Sequence, residues 1–134
     1  MSEPKFIQVP VCSGGRATAA NTAVDGSGTM VTIATGAPGG TRIDRVKFIA
    51  NATTAANSLR IYITDSGSNT ASNTRCIHEI AVTAITKSNT AVGWSSDWIL
   101  DPPLVLPSGA KLQFAPMVAL AAGFDATVVS GGDL

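Results

Sequence analysis

Charge is scarce in this chain. Of its 134 residues only 13% are Asp, Glu, Lys or Arg, and nine basic side chains cancel nine acidic ones. A neutral chain lacks the electrostatic footprint that nucleic acid or an anionic membrane surface requires, so neither is an expected partner. Aromatic residues are scarcer still, at 5%. Two cysteines, Cys12 and Cys76, are too few for a disulfide scaffold. The expectation is a pair of free thiols, buried or half-buried, with a disulfide between them as the alternative. No apolar run approaches the roughly 20 residues of a membrane-spanning helix. The opening segment MSEPKFIQVP has an early Glu and Pro and no apolar stretch, unlike a secretory signal, which predicts a chain made in a cytosol.

The same shortages leave little chemistry. Acid–base or nucleophilic catalysis needs a titratable group held beside a partner. His78 is the one histidine. On an extended strand it would lie about 7 Å along the chain from Cys76, which favours a structural role. One histidine and two distant cysteines do not make a zinc site. Asp97 and Asp101 flank Trp98, but nothing in their spacing pairs them, and they read as strand ends and turns. Asp25-Gly26-Ser27-Gly28 lacks the ligand spacing of a calcium loop and reads as a turn. No phosphate loop, dinucleotide fingerprint or serine elbow is present. The reading is a protein that is not an enzyme, with no catalytic residue, cofactor or metal.

What is abundant is small and β-branched: Ala, Thr, Ser, Gly and Val. Thr41–Asp65 organises the rest. Val46, Phe48 and Ala50 alternate with Arg45, Lys47 and Ile49, and Leu59, Ile61 and Ile63 alternate with Arg60, Tyr62 and Thr64. A period of two is the mark of half-buried strands. Two strands are predicted, joined by a rim loop over Asn51–Ser58 that is longer than a tight turn, with the remaining strands adding to this pair. Ile43 falls on the polar phase. Either a bulge near Asp44 restores it, or Ile43 is exposed at a subunit contact.

Further strands are expected at Phe6–Val11, Thr29–Thr35, Arg75–Ile85, Trp94–Leu100, Lys111–Pro116 and Phe124–Val129, with Leu104–Leu106 a short apolar piece. Ser13–Gly15 reads as a break, Arg16–Val24 as loop or short strand, Pro102-Pro103 as a strand stop, and Met117–Ala122 as strand or loop. Ser66–Asn73 is a polar loop and Gly131–Leu134 a frayed or pinned tail. Both faces of Arg75–Ile85 carry apolar groups, the pattern of a strand covered on both sides. About eight or nine strands and no long helix predict an all-β, single-domain antiparallel sandwich, jelly-roll-like, over residues 1–134. Residues 1–28 form a less regular N-terminal segment or arm. Trp94 and Trp98, about 13 Å apart on one strand side, are candidate interface or glycan contacts, together with Ile43 and Tyr62. Arg42, Arg45, Lys47 and Arg60 form a basic, solvated side.

The succession RIDRVKFIANATTAANSLRIYITD, IHEIAVTA, the tryptophan segment, PLVLPSGAKLQFAP and FDATVVSGGDL resembles small β-sandwich virion proteins of tailed bacteriophages and prophages, over about the last two thirds of the chain. The resemblance is greatest to capsid decoration, or cement, proteins. It implies a homotrimer on the outside of the head, at three-fold positions, clamping the major capsid protein, on a virion assembled in the host bacterial cytoplasm. It implies no catalytic residues. The alternative within the same setting is a head-fibre, tail-tip or host-receptor module, with Trp94 and Trp98 as glycan contacts.

Overall fold

The structure is a computed structural model that describes residues 6–65 and 69–134. Among these it contains no helix and nine strands: β1 (Val9–Pro10), β2 (Gly14–Ala17), β3 (Val31–Thr35), β4 (Thr41–Ala50), β5 (Asn57–Thr64), β6 (Thr74–Val82), β7 (Ser95–Leu106), β8 (Lys111–Pro116) and β9 (Phe124–Asp133). Of the expected polar loop Ser66–Asn73, residues 66–68 lie outside the described residues, as do residues 1–5 of the N-terminal segment. The part from Asn69 to Asn73 is a turn, tied where the Thr70 amide donates to Asn73 Oδ1 at 2.9 Å.

All ladders are antiparallel. One sheet runs β1-β9-β4-β7, with β2 also on β9, and the other runs β3-β8-β5-β6. From β2 onward the strands pair from the outside inward: β2 with β9, β3 with β8, β4 with β7, β5 with β6. This is one long hairpin wrapped into two layers, the jelly-roll arrangement. The expected pairing of β4 with β5 is therefore corrected. Both strands exist and both are inner strands, but each belongs to a different sheet. The connection between them crosses from layer to layer, which needs more residues than a hairpin turn and accounts for its length. Thr54 anchors it, bonding through its amide to Ile85 O at 3.0 Å and through Oγ1 to Thr83 O at 2.7 Å.

The alternation seen in the sequence builds the core. Val46 and Phe48 of β4, Leu59 and Ile61 of β5, Leu112 and Phe114 of β8, and Phe124 and Val128 of β9 are fully buried between the layers. Burying each such side chain stabilises the fold by about 1.5–3 kcal/mol. Phe48 and Phe114 meet edge-on across the layers at 5.7 Å. The register of β4 shifts between Ile43 and Arg45 against both neighbours, and Ile43 is 0% exposed. The bulge is what restores its phase, and Ile43 sits in the core rather than at a subunit contact.

Several boundaries differ from expectation. The first strand shrinks to Val9–Pro10, opposite Asp133 and Gly132. The expected break at Ser13–Gly15 falls partly within β2, whose glycines offer no side-chain period to read. A Cβ on Gly14 would collide with the carbonyl oxygen of Ala126, so the close approach of β2 to β9 depends on that glycine. Pro102 and Pro103 do not stop β7. They lie in the stretch between Ile99 and Leu104, where the ladder with β4 is interrupted, on a strand with no neighbour on its other side. A residue without an N–H is tolerated at such an edge. The tail is pinned: β9 continues to Asp133, and the Leu134 amide donates to Gly40 O at 2.9 Å. Met117–Ala122 is a connection, not a strand. β6 is an edge strand whose outer side, with Ile77, Glu79 and Ala81, is exposed rather than covered.

Candidate functional site: two unlike outer faces

Each layer turns one side inward and one outward, and the two outward sides are built differently. On the β3-β8-β5-β6 layer, Tyr62, Gln113 and Ala115 point away from the core, yet each is buried. The cover is the segment 18–30 between β2 and β3, which lies over this layer as a strap. Tyr62 Oη donates to Ala23 O at 3.5 Å, the Asn21 amide donates to Pro116 O at 2.9 Å, and Asn69 Nδ2 donates to Gly28 O at 3.2 Å. Asn21 ties the strap to itself. Its Nδ2 donates to Ser27 O and Thr29 O at 3.1 and 3.2 Å, and its Oδ1 accepts from the Ala23 amide at 3.1 Å. Asp25 closes the tip by accepting from the Ser27 amide and hydroxyl, and these bonds hold its carboxyl below the ordinary value.

Among the described residues, nothing comparable covers the opposite outer face, of β9-β4-β7. Its charges are largely paired within the chain, four cations against three carboxylates. Arg45 Nη2 lies 2.8 Å from Asp97, Lys47 Nζ lies 3.6 Å from the same carboxylate, Arg42 pairs with Asp44 at 2.9 Å, and Arg16 pairs with Asp125 at 2.6 Å. The hydrogen bond from Arg45 holds the Asp97 carboxyl below its ordinary value, and that from Arg16 does the same for Asp125. Exposed pairs of this kind contribute little to stability. Their effect is to offset most of the positive charge on the face. Between them Ile99, Val105, Val129 and Ile49 are left exposed, Ile99 at 67%. The basic side expected from Arg42, Arg45, Lys47 and Arg60 is thus divided: the first three lie on this largely paired surface with apolar gaps, while Arg60 belongs to β5 of the other layer and pairs with Glu79 at 3.0 Å.

The tryptophans do not form a stacking platform. Both lie on one side of the strand, as their spacing predicts, and that side faces inward. Trp94 is buried and meets Phe124 edge-on at 5.9 Å. Trp98 is half-buried and stacks flat on His78, with ring centroids 4.7 Å apart and 6° between planes. The stack joins β7 of one layer to β6 of the other, where each layer ends. His78 therefore has a structural partner that its own strand could not reveal. Tyr62 and Ile43 are also inside, under the strap and in the core. Of these four only Trp98 keeps part of its surface open, and the exposed apolar residues of the bare face were not foreseen. The signal for them was present in Ile49, Ile99 and Val105, apolar residues on the polar phase of their strands.

Cys12 and Cys76 are both free and both exposed, not half-buried. Among the described residues no group of three or more His, Cys, Asp or Glu is placed to hold a metal ion. Comparison with protein-family models, with curated proteins and with solved structures finds no match.

Proposed function

We propose that this chain is a structural protein of a bacteriophage virion, a decoration or cement protein that binds the outside of the head as a homotrimer and stabilises the shell of major capsid protein. The observation that carries the reading is the bare face of β9-β4-β7. It is a sheet surface whose charges are largely paired within the chain, with Ile99, Val105, Val129 and Ile49 exposed across it. Such a surface suits recognition by shape and apolar contact rather than by field. The jelly-roll pairing is compatible with the reading as an analogy of fold, since that architecture serves virion proteins and lectins alike. Weak contacts repeated by three-fold symmetry, all engaged at once, raise binding by orders of magnitude without any one of them being strong. The receptor-binding alternative rests on Trp94 and Trp98 together, and with Trp94 buried only Trp98 is partly open to a ligand.

Light scattering on the purified protein, followed by co-sedimentation with empty phage heads across a salt series, tests this. The expected result is a trimer that stays on the heads from low to high salt, because the chain has few charges, no net charge and a face whose charges are largely paired. A monomer, or binding that disappears at moderate salt, would count against it.

A further inference from the structure

At the end of the bare face, where β4 leaves its sheet and β7 enters it, a cleft of about 270 Å³ opens. Ile49, Val92 and Trp94 supply apolar wall, and Lys47 and Lys87 stand at its border. No Asp or Glu lines it. In a chain with no net charge, this apolar recess is bordered by two ammonium groups and no carboxylate.

The local build fixes Lys87 and leaves Lys47 loosely held. The Lys87 stem lies against Gly93, where an added Cβ would fall 2.8 Å from Lys87 Cδ. Its ammonium donates to Ala50 O at 2.8 Å, which holds one of its three hydrogens and leaves two to point elsewhere. Lys87 also contributes to lowering the nearby Asp125 carboxyl, but that carboxylate is already engaged by Arg16 at 2.6 Å. Lys47 is held only at 3.6 Å from Asp97, which Arg45 binds more closely. Beside them Val92 is 90% exposed, an apolar side chain held out in water at the lip. The Ala50 amide donates to Trp94 O at 3.0 Å, so the floor is a fixed part of the sandwich and needs no rearrangement to receive a ligand.

We propose that this cleft binds a carboxylate carried on an apolar body. The ammonium groups of Lys47 and Lys87 take the carboxylate, and Ile49, Val92 and Trp94 cover the apolar part. The volume lies just under the range of drug-sized pockets, so the occupant is a small organic acid or one acidic side chain with its apolar neighbour in a partner polypeptide. The cleft would serve either source whether or not the chain sits on a phage head.

The test is amide-resolved nuclear magnetic resonance on the intact protein. The probes are hydrocinnamate, its neutral amide, and a blocked dipeptide of phenylalanine and glutamate. Saturable shifts confined to Ala50, Val92, Gly93 and Ser95 are expected with the acid and not with the amide. If the dipeptide also binds there, a partner polypeptide is the source; if the free acid alone binds, a small organic acid is. Lys87→Met is expected to weaken binding about tenfold, the worth of one charge-assisted hydrogen bond. Val92→Asp, at a site too exposed to disturb folding, should weaken it as well by setting a carboxylate at the lip. Lys111→Met, on another strand, should leave it unchanged. No saturable shift with either carboxylate, equal binding of acid and amide, or indifference to both Lys87→Met and Val92→Asp would overturn the proposal.

Discussion

The outer faces of the two layers start from the same pattern and end differently. In β5, Tyr62 alternates outward between Ile61 and Ile63; in β7, Ile99 alternates outward between Trp98 and Leu100. Tyr62 is 2% exposed and Ile99 is 67% exposed. The strand does not decide this. The segment 18–30, more than thirty residues away in sequence, lies over one layer and leaves the other uncovered. An outward apolar or aromatic side chain on a sandwich therefore has two fates, a seat for the chain's own loop or a surface left for something else. Which it meets depends on connections that strand periodicity does not describe.

The largest effects should separate the two faces. Tyr62→Ala removes a buried aromatic ring from under the strap and is expected to cost about 3–5 kcal/mol in urea unfolding. Ile99→Ala and Val105→Ala, on the bare face, should each stay within about 0.5 kcal/mol of the parent. Comparable losses on both sides would mean that the face of β9-β4-β7 is covered after all.

The strap can be tested apart from the sheet beneath it. Asn21→Ala removes three hydrogen bonds that hold the strap's backbone in its loop, at a cost of about 2 kcal/mol. In hydrogen exchange, amides across residues 18–30 should exchange faster, while those of β4 and β9 keep their protection. A uniform loss of protection would show that strap and sandwich unfold as one unit.

Acid should act weakly on both faces. The carboxyls of Asp97 and Asp125 on the bare face and of Asp25 in the strap are all lowered from 3.8. Each binds its proton more readily in the unfolded chain than in the fold. Their contribution is therefore present above the ordinary carboxyl value and is lost as pH falls below it, from about pH 4 downward. Urea midpoints at pH 7 and pH 3 should show this fall. Asp97→Asn should make the fall slightly smaller, because one of the three groups no longer titrates. An unchanged midpoint would show that these pairs carry no net stabilisation.

Much of this fold is legible along the chain. The inward sets of β4, β5, β8 and β9 follow from period two, and the phase error at Ile43 marks its bulge. That Trp94 and Trp98 share one side of their strand is also readable. What is not readable depends on partners distant in sequence. Nothing in β4 and β5 says that they lie in different layers, because either pairing would bury the same residues. Gly14 and Gly15 have no side chains to alternate, so β2 is visible only against β9. Pro102 and Pro103 stop a strand that has two neighbours, and only the structure shows that β7 has one. His78 looked solitary because its partner, Trp98, belongs to the other layer. The large aromatic residues Trp94 and Tyr62 are used inside the fold, and the exposed apolar residues of the β9-β4-β7 face are isoleucines and valines whose strand phase already pointed outward.

Hydroxyl-radical footprinting of the protein, free and bound to phage heads, tests the assignment of the bare face most directly. Oxidation of Ile99, Val105 and Val129 is expected to fall several-fold on binding, while Val24 at the tip of the strap is oxidised as before. Protection of Val24 with Ile99 and Val105 still open, or no binding to heads at all, would contradict it.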